Sequence, residues 1–117
     1  MKKTTPLKKN HEFVRMYKKG KFQAGKYIII YLLKNRLGSN RLGITASKKV
    51  GKSVKRNRIK RLIKENYRLM EDFVPAGLDI VIVARSIEKE YSFAGIQKEM
   101  KSLLKKLQAF EQKNEMG

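Results

Sequence analysis

Between residues 48 and 68 the chain carries ten lysines and arginines against a single acid, Glu65. They crowd into KRNRIKRLIKEN, residues 55–66, where Ile59, Leu62 and Ile63 keep an apolar rhythm running through the charge. On a helical wheel, Ile59, Leu62, Ile63, Asn66, Leu69 and Met70 fall within roughly 120°, while Arg56, Asn57, Lys60, Arg61, Lys64 and Arg68 fill an adjoining arc of roughly 140°. Arg58 lies near the border of the apolar arc and can reach around it. The chemistry open to such a face is ionic. A solvated helix face usually mixes signs, yet Arg56/Lys60, Lys60/Lys64, Arg61/Lys64 and Lys64/Arg68 are like-charge neighbours, each costing about 0.2–0.5 kcal/mol. Lys55 and Arg56 also oppose the positive end of their own helix. Phosphates laid along the face would remove both costs, so the arrangement points to a polyanion. Asn57 is awkward in a cationic arc on propensity alone. Its amide both donates and accepts, which suits a phosphate oxygen, a base edge or the water shell of a Mg2+ ion; a tolerated polar residue of the first turn is the equal alternative.

A second group could act by stacking. Phe13, Met16 and Tyr17 share one helix face at i, i+3, i+4 spacing. The two rings read either as core aromatics packed on a sheet or as a platform for unpaired bases, with Thr45 and Ser47 as a small polar floor. Tyr31, inside an apolar run, carries the same ambiguity. Protein-borne catalysis finds little support. The chain has no Cys and one His, His11, and Asp72 and Asp79 do not form a carboxylate cluster of the kind metal-assisted hydrolysis needs.

These residues must be positioned by elements that the patterning defines. Asn10 is placed to cap a short helix from about residue 11 to 19, ended by Gly20. Residues 21–24 form a short strand, and KYIIIYLLK (26–34) a longer one buried on both faces or nearly so. After a turn at 37–40, RLGITASK (41–48) alternates Leu42, Ile44 and Ala46 with smaller or polar residues. A loop at 49–52 precedes the basic helix, about 53–72. DIVIVAR (79–85) is a further strand, and a last helix over about 92–110 carries Ile96, Met100, Leu103, Leu104 and Leu107 as a core stripe. The order α-β-β-β-α-β-α describes an α+β sandwich, helices laid on a mixed sheet of four strands, with a βαβ unit across the third and fourth.

At 117 residues and 41% apolar content, one domain spanning 1–117 is expected, with about 1–8 and 111–117 fraying. A net charge of +19 and a pI near 10.3 favour polyanions over neutral partners. No apolar run nears the roughly 18 residues that span a bilayer, and the start MKKTTPLKKN lacks a signal-peptide core, so a cytoplasmic chain without a membrane partner is expected.

The segments LKKNHEFVRMYKKGK (7–21), RLGITASKKVGKSVKRNRIKRLIKE (41–65) and DIVIVAR (79–85) together resemble the protein subunit of bacterial ribonuclease P. Arg-Asn-Arg at 56–58 following Ser-Lys-Lys at 47–49 is the specific part of the likeness. The resemblance implies a fold like the second domain of ribosomal protein S5, with a left-handed crossover through the Arg-Asn-Arg helix where handedness statistics alone favour a right-handed one. It implies that a catalytic RNA cleaves the 5′ leader from precursor tRNA with Mg2+, the protein assisting without catalytic residues of its own and without an obligate protein partner. Carried over by position, Arg56, Asn57, Arg58, Lys60, Arg61, Lys64 and Arg68 are expected to meet the catalytic RNA, with no metal ligand fixed and Asn57 the one candidate for a metal contact. Phe13, Tyr17, Tyr31, Thr45 and Ser47 receive the single-stranded leader, bordered by Lys48, Lys49, Lys52 and Arg85. Tyr17 stands where relatives often have Phe, and Lys64 where Arg is frequent, which keeps the charge but loses the bidentate phosphate geometry. Three rivals share parts of the pattern: a ribosomal protein, a helix-turn-helix DNA binder and a protein-only metal nuclease.

Overall fold

Alternation along residues 28–34 gives the sheet its two faces. Ile28, Ile30 and Leu32 are almost fully buried, whereas Ile29, Tyr31 and Leu33 between them are half-buried on the opposite side. A computed structural model describes residues 3–87 and 90–109. Its elements are β1 (Thr4–Pro6), α1 (Asn10–Lys19), β2 (Lys21–Ala24), β3 (Ile28–Lys34), β4 (Asn40–Ala46), α2 (Ser53–Met70), β5 (Leu78–Ala84) and α3 (Phe93–Lys106), with 3₁₀ turns at Lys48–Val50 and Glu71–Phe73. The strands form one sheet in the order β1-β4-β5-β3-β2. β4 and β5 are parallel neighbours joined through α2, which is the expected βαβ unit; β1 also runs parallel to β4, and the remaining pairs are antiparallel.

Helices α2 and α3 cover one face. Ile59, Ile63, Tyr67 and Met70 of the first, and Ile96, Met100, Leu103 and Leu104 of the second, close the main core over Ile28, Ile30, Leu32, Ile80 and Ile82. The other face carries α1 and a smaller cluster of Leu7, Met16 and Val81, with Phe13, Tyr31, Leu33 and Val83 packed against it. The α+β sandwich is therefore as read from the sequence, but its sheet has five strands, not four. The additional strand, β1, lies in the segment expected to fray. It is held by contacts that no local pattern announces: Leu7 donates its N–H to Leu42 O at 2.9 Å, the Thr4 and Tyr67 hydroxyls meet at 3.0 Å, and Lys3 N–H reaches Glu71 Oε2 at 3.0 Å. Residues 111–117, also expected to fray, and Phe110 at the expected end of the last helix lie outside the described residues.

Two local expectations change. Asn10 is the first residue of α1 and not its cap; Lys9 holds the cap position, without a side-chain hydrogen bond. On α2 the apolar arc is rotated, so that Leu69 is 49% exposed while Tyr67 is fully buried, its hydroxyl satisfied by Thr4. Asn66 is also buried, donating Nδ2–H to the carbonyls of Leu62 and Phe93. The C-terminal helix behaves as its stripe implies, and Ser92 Oγ caps it by accepting the Gly95 N–H at 3.0 Å. Among the described residues no helix is long and apolar enough to cross a membrane.

Candidate nucleic-acid interface

Helix α2 starts with no acidic residue in its first turn and no side-chain cap. The chain reaches it through the Lys48–Val50 turn and Gly51, whose φ of 151° is one that L side chains rarely adopt. Nothing local therefore offsets the positive end of the helix, and Lys48, Lys49 and Lys52 stand exposed just ahead of it. Val54, 83% exposed, is an apolar side chain with no place in the core.

The cationic arc divides. Lys60, Arg61 and Lys64 are exposed and line a cleft of about 560 Å3 together with Phe13, Pro6, Leu7 and the β4 segment Leu42–Ile44. Asn57 is exposed on the same side of the helix. None of these four polar side chains has an ion pair or side-chain hydrogen bond among the described residues. Arg58 turns away, as its border position allowed, and its Nη1 lies 3.3 Å from Glu90 Oε2 with both groups well exposed. Arg68 meets Glu65 one turn earlier at 3.1 Å. Arg56 is half-buried over the first turn, with Nη2 at 3.4 Å from Ser53 Oγ and an Nε that has neither solvent nor a partner.

The aromatic group is set by register. Gly43, Val81, Tyr31 and Phe22 stand side by side across four strands on the α1 face. Glycine at 43 leaves room for the Phe13 ring: a Cβ there would sit 2.5 Å from Phe13 Cζ. Phe13 is thus half-buried, its ring seated on the sheet while it also walls the cleft below Lys60, Arg61 and Lys64. Phe13 packs on the sheet, as one of its two readings had it, and lines the cleft as well. Tyr17 is 44% exposed and meets Tyr31 edge-on, ring centroids 5.0 Å apart. The next row, Thr45, Val83, Ile29 and Ala24, is half-buried or open. Its floor is more apolar than expected, since Thr45 is its one polar member. Ser47 lies beyond the strand end, exposed.

Phe22 was not singled out in the sequence. It is 57% exposed and its ring lies 5.4 Å from Tyr31 at 32°. The four-residue strand that carries it gives no amphipathic signal; only pairing with β3 reveals that Phe22 and Tyr31 are cross-strand neighbours.

Two polar networks hold these parts in place. Arg41, on the α1 face of β4, grips both Asp79 oxygens through Nε and Nη2 at 2.9 and 2.7 Å, and its Nη1 binds Glu12 of α1. Burial would raise the Asp79 carboxyl, but the Arg41 hydrogen bonds, with Asn35 Nδ2 at 2.9 Å, outweigh it and hold that carboxyl below the usual range. Arg41 is therefore structural: it pins α1 to the sheet. At the other end Glu99 accepts three backbone N–H groups, from Lys26, Tyr27 and Ile28, at 2.6, 2.7 and 2.8 Å. This carboxylate shapes the β2–β3 turn. Beside that turn Arg85 is exposed with Nη1 on Gly25 O at 2.6 Å, and Ser86 Oγ donates to Lys49 O at 3.0 Å. The ends of β4 and β5 consequently form one lip carrying Lys48, Lys49, Lys52 and Arg85.

Among the described residues no three His, Cys, Asp or Glu side chains gather where they could hold a metal ion. Glu12 and Asp79 share Arg41 and are not poised as an acid and base pair.

Comparison with known proteins bears on this surface. The family model for ribonuclease P matches residues 1–108. The ribonuclease P protein component of Clostridioides difficile is 48% identical over 105 residues, covering 89% of this chain and 92% of that one. Its counterpart in Caldanaerobacter subterraneus is 44% identical over 111 residues, covering 95% and 96%. Among solved structures, the Staphylococcus aureus RNase P protein superposes with a TM-score of 0.82 at 37% identity, covering 91% of this chain and 97% of that one. The Thermotoga maritima RNase P protein gives 0.77 at 31%, covering 86% and 96%. Agreement over nearly the whole length in sequence and in fold leads to one conclusion: the chain belongs to the ribonuclease P protein family.

Proposed function

We propose that this chain is the protein component of a ribonuclease P ribonucleoprotein, binding the catalytic RNA through the exposed face of α2 and the single-stranded 5′ leader of precursor tRNA across the α1 face of the sheet. The observation that carries the reading is the cleft in which Phe13 of α1 stands beside Lys60, Arg61 and Lys64 of α2. It joins a stacking surface to a phosphate-binding surface. Bases of an unpaired strand can lie on Phe13, Tyr17 and Tyr31 while cations neutralise the backbone, and stacking tolerates any base. Substrate bearing a leader then binds more tightly than product lacking one, so the binding energy favours turnover.

The described residues of the α2 arc do not fit a Mg2+ site of their own. Such a site takes one or two carboxylates, and the exposed arc of α2 offers the amide of Asn57 with Glu65 already on Arg68. Mg2+ belongs with the RNA phosphates in this reading, and Asn57 can meet such an ion only through its water shell. Cleavage is the work of the RNA, and the chain's own residues bind, orient and neutralise.

Reconstitution with the catalytic RNA tests the proposal. Adding the protein should improve precursor tRNA cleavage at low Mg2+, and a lack of improvement would leave a ribosomal or other structured-RNA-binding role. If about six phosphates are neutralised along single-stranded RNA, log K should fall against log salt with a slope near −4, and a slope near zero would refute the ionic account.

A further inference from the structure

The fold gives no account of the Phe22 ring. It sits on the outermost strand of the sheet, more than half exposed, and contributes little to either core cluster. Exposed edge strands are normally protected by charge, and Lys21 beside it serves that end; a large apolar ring does the opposite. Its geometry is not that of a stray side chain. Tyr31 lies between two exposed rings, Tyr17 edge-on at 5.0 Å and Phe22 tilted by 32° at 5.4 Å. Phe22 thus continues the aromatic surface outward, away from β4 and the start of α2, by one further strand. Lys18, Lys19 and Lys26, close to it along the chain, are exposed, while Lys21 is exposed toward the opposite face of β2. A second copy of so basic a chain is an unfavourable occupant of that surface, whereas an unpaired nucleic-acid strand complements both its charge and its rings.

We infer that Phe22 is an additional stacking position for the leader, engaged by nucleotides further from the cleavage point than those that reach Tyr17 and Tyr31. The inference rests on the leader-binding reading above and adds a length dependence to it. With Phe22 present, lengthening the leader past Tyr31 continues to add affinity; without it, affinity stops rising there.

The test uses holoenzyme reconstituted with the catalytic RNA and two precursor tRNAs, one with a leader of a few nucleotides and one with a long leader. Phe22→Ala should weaken binding of the long-leader substrate by about 5- to 150-fold, the effect expected of one lost base–ring stack, with a much smaller change for the short one. Phe22→Tyr should keep the wild-type difference between the two. Tyr17→Ala should weaken both. Equal loss at both lengths for Phe22→Ala, or no loss in a variant whose melting is unchanged, overturns the inference. If Tyr17→Ala still weakens both substrates in that case, the leader-binding reading stands without Phe22; if neither variant alters leader dependence, that reading falls as well. Sedimentation supplies one more way to refute it, because a wild-type dimer dissolved by Phe22→Ala would make the ring a self-association contact.

Discussion

Gly43 offers a test of how α1 is seated. A methyl at this position would place Cβ 2.5 and 2.6 Å from Cζ and Cε1 of Phe13, against the roughly 3.5–4.0 Å at which carbon atoms rest. The ring has to retreat by about 1 Å. It is packed with Leu7, Met16 and Val81, so it retreats by lifting α1 from the sheet. Overpacking of this kind costs about 1–3 kcal/mol, while alanine gains about 0.5–1 kcal/mol over glycine within a strand. Gly43→Ala should therefore destabilise the protein by about 1–2 kcal/mol, a fall in Tm of about 4–8 °C for a chain of this size. In a Phe13→Ala background the obstacle is gone, and the same substitution should become neutral or stabilising by up to about 1 kcal/mol. Urea denaturation of the four proteins of this cycle reads the coupling directly. An equal cost of Gly43→Ala in both backgrounds would refute the seating of Phe13 on Gly43. The lifted helix should also loosen the proposed leader binding, since Phe13 walls the cleft.

Two other substitutions address the polar networks. Glu99→Gln, which removes the charge that gathers three N–H groups, should cost about 1–3 kcal/mol and speed hydrogen exchange at Tyr27 and Ile28; unchanged protection there would count against the latch. Asp79→Asn breaks a buried ion pair and should cost about 3 kcal/mol near neutral pH. Because the folded Asp79 carboxyl is held below its unfolded value, its stabilisation is complete above the ordinary carboxylate range and is lost as pH falls through the folded value. Stability of the wild type should then drop below pH of about 4 more steeply than that of Asp79→Asn, and parallel curves would contradict the sign.

The parts of this fold legible in the sequence are those whose signal is local. The stripe Ile96, Met100, Leu103, Leu104 and Leu107 is buried throughout, and the strand–helix–strand run from β4 through α2 to β5 forms the parallel pair. Features that depend on a distant partner were not legible. Thr4–Pro6 has no periodicity and contains a proline; it becomes a strand because β4 and Tyr67 receive it. The same contact explains why Tyr67 is buried and Leu69 is not. In the candidate interface, residue types sufficed to pick out the exposed cations of α2 and the rings at 13, 17 and 31. They could not tell that Arg58 faces Glu90, that Arg41 is consumed by Asp79, or that Phe22 stands next to Tyr31, each of which follows from register or helix rotation.

The position of α2 in the topology gives ionic strength two opposed effects. Parallel strands need a crossover, and here the crossover is the helix that carries the cationic arc, with Ile59, Ile63, Tyr67 and Met70 sealing the core beneath it. Repulsion along its outer arc is therefore borne by the cooperative unit as a whole and not by a detachable arm. Added salt relieves that repulsion and firms up the free protein, while under the proposed function the same salt competes with RNA for the arc. On that proposal, conditions that are best for keeping the isolated chain folded are the wrong ones for assembling it, and a bound RNA is the polyanion that would satisfy both requirements.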